Sequence, residues 1–317
     1  MRNVLRPLRA LGGAAGTLLA VSVLVFAATA LAPGDAATAR LAGHGGPERI
    51  AELRHQLGLD EPLWTRYAHW LWHAVQGDLG TSYANGEPVA RLIAERAGNS
   101  LLLGAVTAVL LVPLALGLGL WAGLRAGQAA DRTVSAATLT LVSLPEFVTG
   151  TLLVLVFAVG LGWLPAVSVP PAGEGVLTQP QLLVLPVVTL LSVSLAQNVR
   201  LVRSGVLTAT GSDAVLAARL GGVPEHRVVL RWVMPAAVVP AVPAFARYLA
   251  YLLGGTLVAE TLFGYPGLAA ALVNATASRD TPVVLGCALL VACLTIVLNL
   301  LADLLARALN PAARTTS

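Results

Sequence analysis

The stretch from Ser212 to Pro235, S-D-A-V-L-A-A-R-L-G-G-V-P-E-H-R-V-V-L-R-W-V-M-P, decides how this chain is read. It is the longest polar interruption after residue 100, and it sets Arg219, Arg227 and Arg231 against Asp213 and Glu225 between apolar runs long enough to cross a bilayer. Ser212 or Asp213 is suited to cap a short helix. Ala214, Ala217 and Ala218 give that helix a small-residue surface, and Gly221-Gly222 ends it in a left-handed turn. Pro224 then suits the first turn of a second helix. Taken by itself, the stretch also fits a plain helical hairpin joining two spans. The rest of the chain decides between the two.

Composition places the chain in a membrane. Of its 317 residues 56% are apolar and 11% charged, against about 25% charged in an average soluble domain. All 20 basic side chains are arginines, distributed among loops rather than gathered in one stripe, which argues against a nucleic-acid partner. With no lysine the chain also lacks the G-x-x-x-x-G-K-[ST] loop that cradles nucleotide phosphates. The two cysteines, Cys287 and Cys293, fall in the last apolar run. Six helical residues separate them by about 9 Å along the axis, beyond disulfide reach. His69 and His73 have the i, i+4 spacing of a zinc pair, but Trp70 and Trp72 beside them fit an interfacial helix better. No metal site is expected.

Six runs have the length and composition of spanning helices: 11–31, 99–123, 133–161, 182–201, 238–262 and 282–305. The first follows Arg2, Arg6 and Arg9. It also has a small-residue Ala28-Thr29-Ala30 site suited to signal-peptide cleavage, but it is longer than a signal core and reads as a helix that stays in the membrane. Residues 33–98, with eight acidic residues and six arginines, read as a folded, mostly helical segment outside the membrane. Pro113, Pro145, Pro186, Pro240 and Pro243 predict kinks within a bundle. Arginines favour the N-terminus, residues 125–132, residues 200–231 and the tail, so both termini and the Asp213 loop are expected in the cytoplasm. Glu146 and Arg247 are the charges set deepest in apolar runs, and they are expected either to pair across the bundle or to line a path through it.

With these runs in place, the Ser212–Pro235 stretch resembles the coupling loop of ABC-transporter permeases. Asp213, Ala217, Ala218 and Gly222 stand at the family's acidic, small and glycine positions, followed by Val223-Pro224. Where the family usually carries a basic residue before the glycine, this chain has Gly221. The dipeptide/oligopeptide/nickel branch is matched at Ala32-Pro33-Gly34-Asp35, at Leu57 to Leu63 and at Gly77 to Ser82. Further matches are Glu260-Thr261-Leu262-Phe263-Gly264-Tyr265-Pro266-Gly267, Arg279 to Gly286, and Asp303 with Asn310-Pro311.

The resemblance implies an all-α, six-span permease of the type I importer kind, with both termini inside, in a bacterial inner membrane. It divides the chain into residues 1–32 (N-terminus and first span), 33–98 (external loop domain) and 99–314 (five-helix core with a coupling loop at 203–235). It further implies a second permease subunit, two cytoplasmic ATPase subunits that use ATP-Mg, an extracytoplasmic solute-binding protein and surrounding lipid. No cofactor is implied on this chain, which is expected not to be an enzyme. Arg219 and Gly221 join the coupling residues named above. Glu260, Phe263, Pro266 and Gly267 mark the external end of the fifth span. Short peptides are the expected cargo, with nickel, glutathione or another small solute as alternatives. A secondary transporter or channel is the reading from a different class, but no internal repeat or chain of buried charges supports it.

Overall fold

A computed structural model describes the backbone of residues 2–41, 46–171 and 173–309, leaving outside that description the side chains of 2–11, many of those in 240–255 and most of those in 302–309. Among the described residues the chain is helical, with a single isolated bridge between Thr81 and Pro88. Helices α1 (Arg2–Leu31), α2 (Ala36–Leu41), α3 (Pro47–Gln56) and α4 (Leu63–Val75) precede the long α5 (Val89–Leu124). Then come α6 (Ala129–Ser143), α7 (Glu146–Leu153), α8 (Gln181–Thr210), α9 (Asp213–Leu220), α10 (Glu225–Val228), α11 (Met234–Leu262), α12 (Leu268–Ala277) and α13 (Thr281–Leu309).

Among the described residues four helical stretches are long and apolar enough to cross a membrane: Gly12–Leu31, Val89–Leu124, Gln181–Thr210 and Thr281–Leu301. A fifth is added if α6 and the helix after it count as one bent span. The run expected at 238–262 coincides with the 29-residue α11. Large apolar side chains are open on these helices, among them Leu24 at 68% and Val109 at 71%. That much exposed apolar surface suits lipid rather than water.

The expected single helix over 133–161 is corrected. Its two halves meet at 107°, because Pro145 disfavours a helical conformation in the residue before it and Leu144 is extended (φ −91°, ψ 132°). Beyond the bend, Val154–Gly160 widens into a π-helix. Pro113 and Pro186, by contrast, remain inside α5 and α8.

Two compact units are formed, Met1–Ser100 with Pro266–Ile296, and Leu101–Tyr265 with Val297–Ser317. The first has a core of Val89, Ile93, Leu268, Val283 and Cys287, while Cys293 is exposed. Residues 82–84 of this unit are fastened by Asp280, a 2%-exposed carboxylate. Ser82 Oγ donates to it, as do the backbone N–H groups of Tyr83 at 3.0 Å and Ala84 at 3.2 Å.

In the second unit α8 is the central element, packed against α6, α7 and α11. Gly119 and Gly123 let α5 lie directly on Val202 and Val206, since a Cβ at either glycine would come within 2.7 Å of a valine side chain. Gly205 does the same for α11, where a Cβ would meet Ala237 Cα at 2.9 Å. Between α6 and α8, Arg203 donates to both oxygens of buried Asp131, Nη2 to Oδ2 at 2.9 Å, and Gly127 N–H adds a third bond at 2.9 Å.

Candidate functional site

The Ser212–Pro235 stretch folds as a short helix suspended between two long helices of the second unit. α8 ends at Thr210, α9 runs from Asp213 to Leu220, and the chain resumes as α10, a π-helical turn over Val229–Val233, and α11. Ser212 occupies the N-cap position with extended backbone, but its side chain does not cap. This corrects the expected cap: Ser212 Oγ donates instead to Ala209 O at 2.7 Å, tying the turn back to α8. Asp213 lies in the first helical turn, where its charge favours the helix dipole.

The expected left-handed ending is present at Gly222, with φ +75°. Val223 N–H donates to Ala218 O at 3.1 Å and Gly222 N–H to Arg219 O at 3.0 Å, the paired bonds of a Schellman turn. Pro224 stands one residue earlier than expected, as the N-cap of α10. Arg219 spans the turn to Glu225 with two bonds, Nη2 to Oε1 at 2.6 Å and Nε to Oε2 at 3.1 Å. The guanidinium holds the Glu225 carboxyl below its ordinary value.

One residue of α9 is fully inside: Val215, packed with Val206, Val228 and Val233. Ala218 and Val223 are half-buried against the same cluster. Asp213, Ala217, Arg219, Gly221, Gly222 and Pro224 are exposed. So are two residues that the sequence pattern does not single out, Leu216 at 57% and Leu220 at 80%. Positions 213, 216, 217 and 220 share one helix face, opposite Val215. α9 therefore offers an acidic start, a small residue and two open leucines on the side turned from its own core.

The other predicted residues divide. Glu146 opens α7, and its Oε1 is buried with no hydrogen-bond partner among the described residues. Thr149 Oγ1, three residues on, is in the same condition. Arg247 has its side chain outside the described residues, so the expected pair is not described; Asn310-Pro311 lies outside them altogether. Glu260 and Phe263 are fully buried. Phe263 O accepts from Ser168 N–H at 2.7 Å, Gly264 turns at φ +62°, and Tyr265 beyond it is fully buried. Pro266 O accepts from Asn99 Nδ2 at 2.8 Å, and Gly267 is the N-cap of α12. These motif residues are committed to packing and turns.

A polar group that no sequence motif marks lies midway along α8 and α11. Ser194 hydrogen-bonds Tyr248 Oη, Asn198 Nδ2 donates to Ser194 O at 2.8 Å, and Gln197 is exposed beside them. They line a cavity of about 540 Å³. Serine and asparagine inside a long helix are the signal that was available for it. His69 Nδ1 and His73 Nδ1 approach different carboxylates, Glu61 at 3.7 Å and Asp78 at 3.8 Å, all exposed.

Comparison with known proteins finds matches along nearly the whole chain. Residues 115–315 match the family described as binding-protein-dependent transport system inner membrane component, and residues 3–104 match its N-terminal counterpart. The glutathione transport system permease protein GsiC of Salmonella choleraesuis (strain SC-B67) is 36% identical over 307 residues, covering 97% of this chain and 98% of that protein. GsiC of Escherichia coli (strain K12) is 36% identical over 299 residues, covering 94% and 95%. The chain belongs to the binding-protein-dependent transport system inner membrane component family, as an ABC-transporter permease of the dipeptide/oligopeptide/nickel type located in the inner membrane.

Proposed function

We propose that this permease is one half of the path of an ATP-driven importer, that α9 is its contact with a cytoplasmic ATPase subunit, and that its cargo is a short peptide-like solute. The observation that carries the proposal is the exposed face of α9, with Leu216 and Leu220 open and Val215 holding the helix to α8 and α11. On this reading the chain has six spans, α11 supplying the fifth, with both termini inside and residues 33–98 outside as a loop domain. Residues 203–235 form the coupling loop, and Asp213, Ala217, Ala218, Arg219 and the Gly221-Gly222-Val223-Pro224 turn present it. A second permease subunit, two ATPase subunits and a solute-binding protein complete the machine.

The mechanism follows from how α9 is fastened. A helix fixed at both ends to α8 and α11, and braced by the Arg219–Glu225 bridge, passes a push from the ATPase into those two long helices as a rigid element. α8 and α11 carry the polar cavity at Ser194, Gln197, Asn198 and Tyr248, which we assign to the path. Its uncharged donors and acceptors suit the amide groups of a peptide. The relatives named for glutathione support that cargo, since glutathione is itself a tripeptide; other short peptides have the same backbone groups.

The test is co-purification with the ATPase subunits. Leu220→Asp should leave the yield of the permease unchanged, because the side chain is already open, and should lower associated ATPase at least tenfold. Undiminished association would remove α9 from the contact. Melting of the cognate binding protein with glutathione, dipeptide and nickel panels then fixes the cargo.

A further inference from the structure

Two arginines in the first unit have no use in the transport reading. Arg66 on α4 and Arg279, between α12 and α13, are both half-buried, and neither has a side-chain partner among the described residues. They line one cavity of about 590 Å³ together with Arg54, which is already held by Asp35 at 3.1 Å and Asp60 at 3.4 Å. The nearby carboxylate of Asp280 is occupied by Ser82 and two backbone N–H groups. Three guanidinium groups and one carboxylate, Asp35, thus line the cavity, and the forks of Arg66 and Arg279 match the oxygens of a phosphate. Arg279 has φ +58°, the single positive φ of a non-glycine residue among those described. It ends α12 in a Schellman turn, with Asp280 N–H donating to Ala275 O at 2.8 Å and Arg279 N–H to Thr276 O at 3.3 Å, which holds Arg279 in place beside the cavity.

The cavity continues into apolar surface. A groove of about 300 Å³ beside α1 and α4 shares Phe26, Ala30 and Leu63 with it and is lined also by Trp64. Both lie at the end of one candidate span, Gly12–Leu31, and the cavity reaches the start of another, Thr281–Leu301. α4 is fixed at that level by Tyr67, whose ring lies 5.2 Å from that of Phe26 and whose hydroxyl is 2.8 Å from Ser22 Oγ. Trp64 and Trp72 on the same helix are 77% and 70% exposed, and tryptophan so placed at a helix end marks the headgroup layer.

We propose that this is a site for an anionic phospholipid, its phosphate on Arg66 and Arg279 and an acyl chain in the groove beside Trp64. A lining with three arginines to one carboxylate favours a headgroup with net negative charge, and the combination of charged cavity and apolar groove fits an amphiphile better than the acidic surface of a protein. The site requires only that α1 and α13 enter a membrane, so its failure would leave the transport reading intact.

The test uses the full chain in detergent, titrated with phosphatidylglycerol carrying brominated acyl chains, which quench nearby tryptophan. Saturable quenching is expected, with a component that disappears in Trp64→Phe. Brominated phosphatidylcholine should need at least tenfold more lipid. Arg66→Gln/Arg279→Gln should weaken the phosphatidylglycerol response at least tenfold and Arg66→Lys/Arg279→Lys much less. Equal response to the two lipids, or no Trp64 component in the wild type, would overturn the proposal without recourse to either arginine variant. Full displacement by millimolar glycerol phosphate would also overturn it, assigning the arginines to a free anion. Unchanged lipid response together with lost capture of the solute-binding protein would overturn it in favour of protein docking.

Discussion

The Ser82–Asp280 clasp and the α9 turn both hold a short segment against long apolar helices, and they differ in where their polar groups lie. At the clasp a buried carboxylate takes three donors from residues 82–84. At α9 the ion pair is in water and a single valine is fully inside. The first arrangement is complete within its own unit. The second leaves a helix face with two open leucines and little of its own chain to cover it, as expected of a surface finished by another subunit. Burial thus separates a segment fixed by the fold from one that the proposed function gives to a partner.

This contrast predicts its largest effect at the clasp. Asp280→Ala leaves Ser82 Oγ and Tyr83 N–H without their acceptor, while Ala84 N–H keeps Ser82 Oγ at 3.2 Å; a buried donor so stranded costs about 1–3 kcal/mol. The sum is on the order of 2–4 kcal/mol, read as a fall in melting temperature and membrane abundance greater than that of any substitution in the α9 turn. Asp280→Asn, which keeps an acceptor oxygen, should fall by about half as much. A neutral Asp280→Ala would mean that the clasp is not fastened by its buried carboxylate. Next comes Val215→Ala at α9. Removing two buried methyl-sized groups costs roughly 1.5–2 kcal/mol, confined to α9, so ATPase association should drop while the melting of the long helices stays close to wild type. Loss of the whole chain instead would make α9 part of the core.

How much of this was legible in the sequence follows the same division. Four of the expected runs, 11–31, 99–123, 182–201 and 282–305, were readable because about twenty apolar residues leave few alternatives. The left-handed ending of α9 was readable because Gly221-Gly222 at a helix end has a local cause, now seen at Gly222. What escaped depends on partners far away in sequence. Asp280 meets Ser82 across 198 positions and Asp131 meets Arg203 across 72, and neither register is written in local pattern. Leu216 and Leu220 were passed over because leucine on a helix between spans reads as buried; only the position of Val215 reveals which face is out. The bend at Pro145 was half legible. A proline predicts a kink, but the sequence does not say that Pro145 breaks its helix while Pro113 and Pro186 do not.

A smaller effect is expected at the turn itself. Gly222 has φ +75° and nothing within 4 Å of an added Cβ. Gly222→Ala therefore costs only the left-handed backbone, about 1 kcal/mol, and Gly222→Asn less, because asparagine tolerates that region. Gly222→Leu adds bulk on the exposed side, so its stability should match that of Gly222→Ala while its ATPase coupling falls further. If the two variants couple equally well, the turn acts through its backbone and not as part of a contact surface.

The smallest effect belongs to the Arg219–Glu225 bridge, and it sharpens the comparison by its dependence on pH. The hydrogen bonds from Arg219 hold the Glu225 carboxyl below its ordinary value of 4.5. A depressed pKa in the folded chain means that the bridge contributes stability above the unfolded value, near 4.5, and loses it as pH falls through the folded value. Arg219→Gln should therefore differ slightly from wild type at pH 7, and the two should converge as the pH is lowered past that window. Both partners are exposed, so added salt should shrink the difference at neutral pH as well. The measurement is the melting temperature of the two proteins over pH 3–7 at low and high salt. A gap that persists in acid, or that ignores salt, would mean that Arg219 stabilises α9 through its aliphatic stem and not through its charge. The bridge would then belong with the buried clasp rather than opposite it.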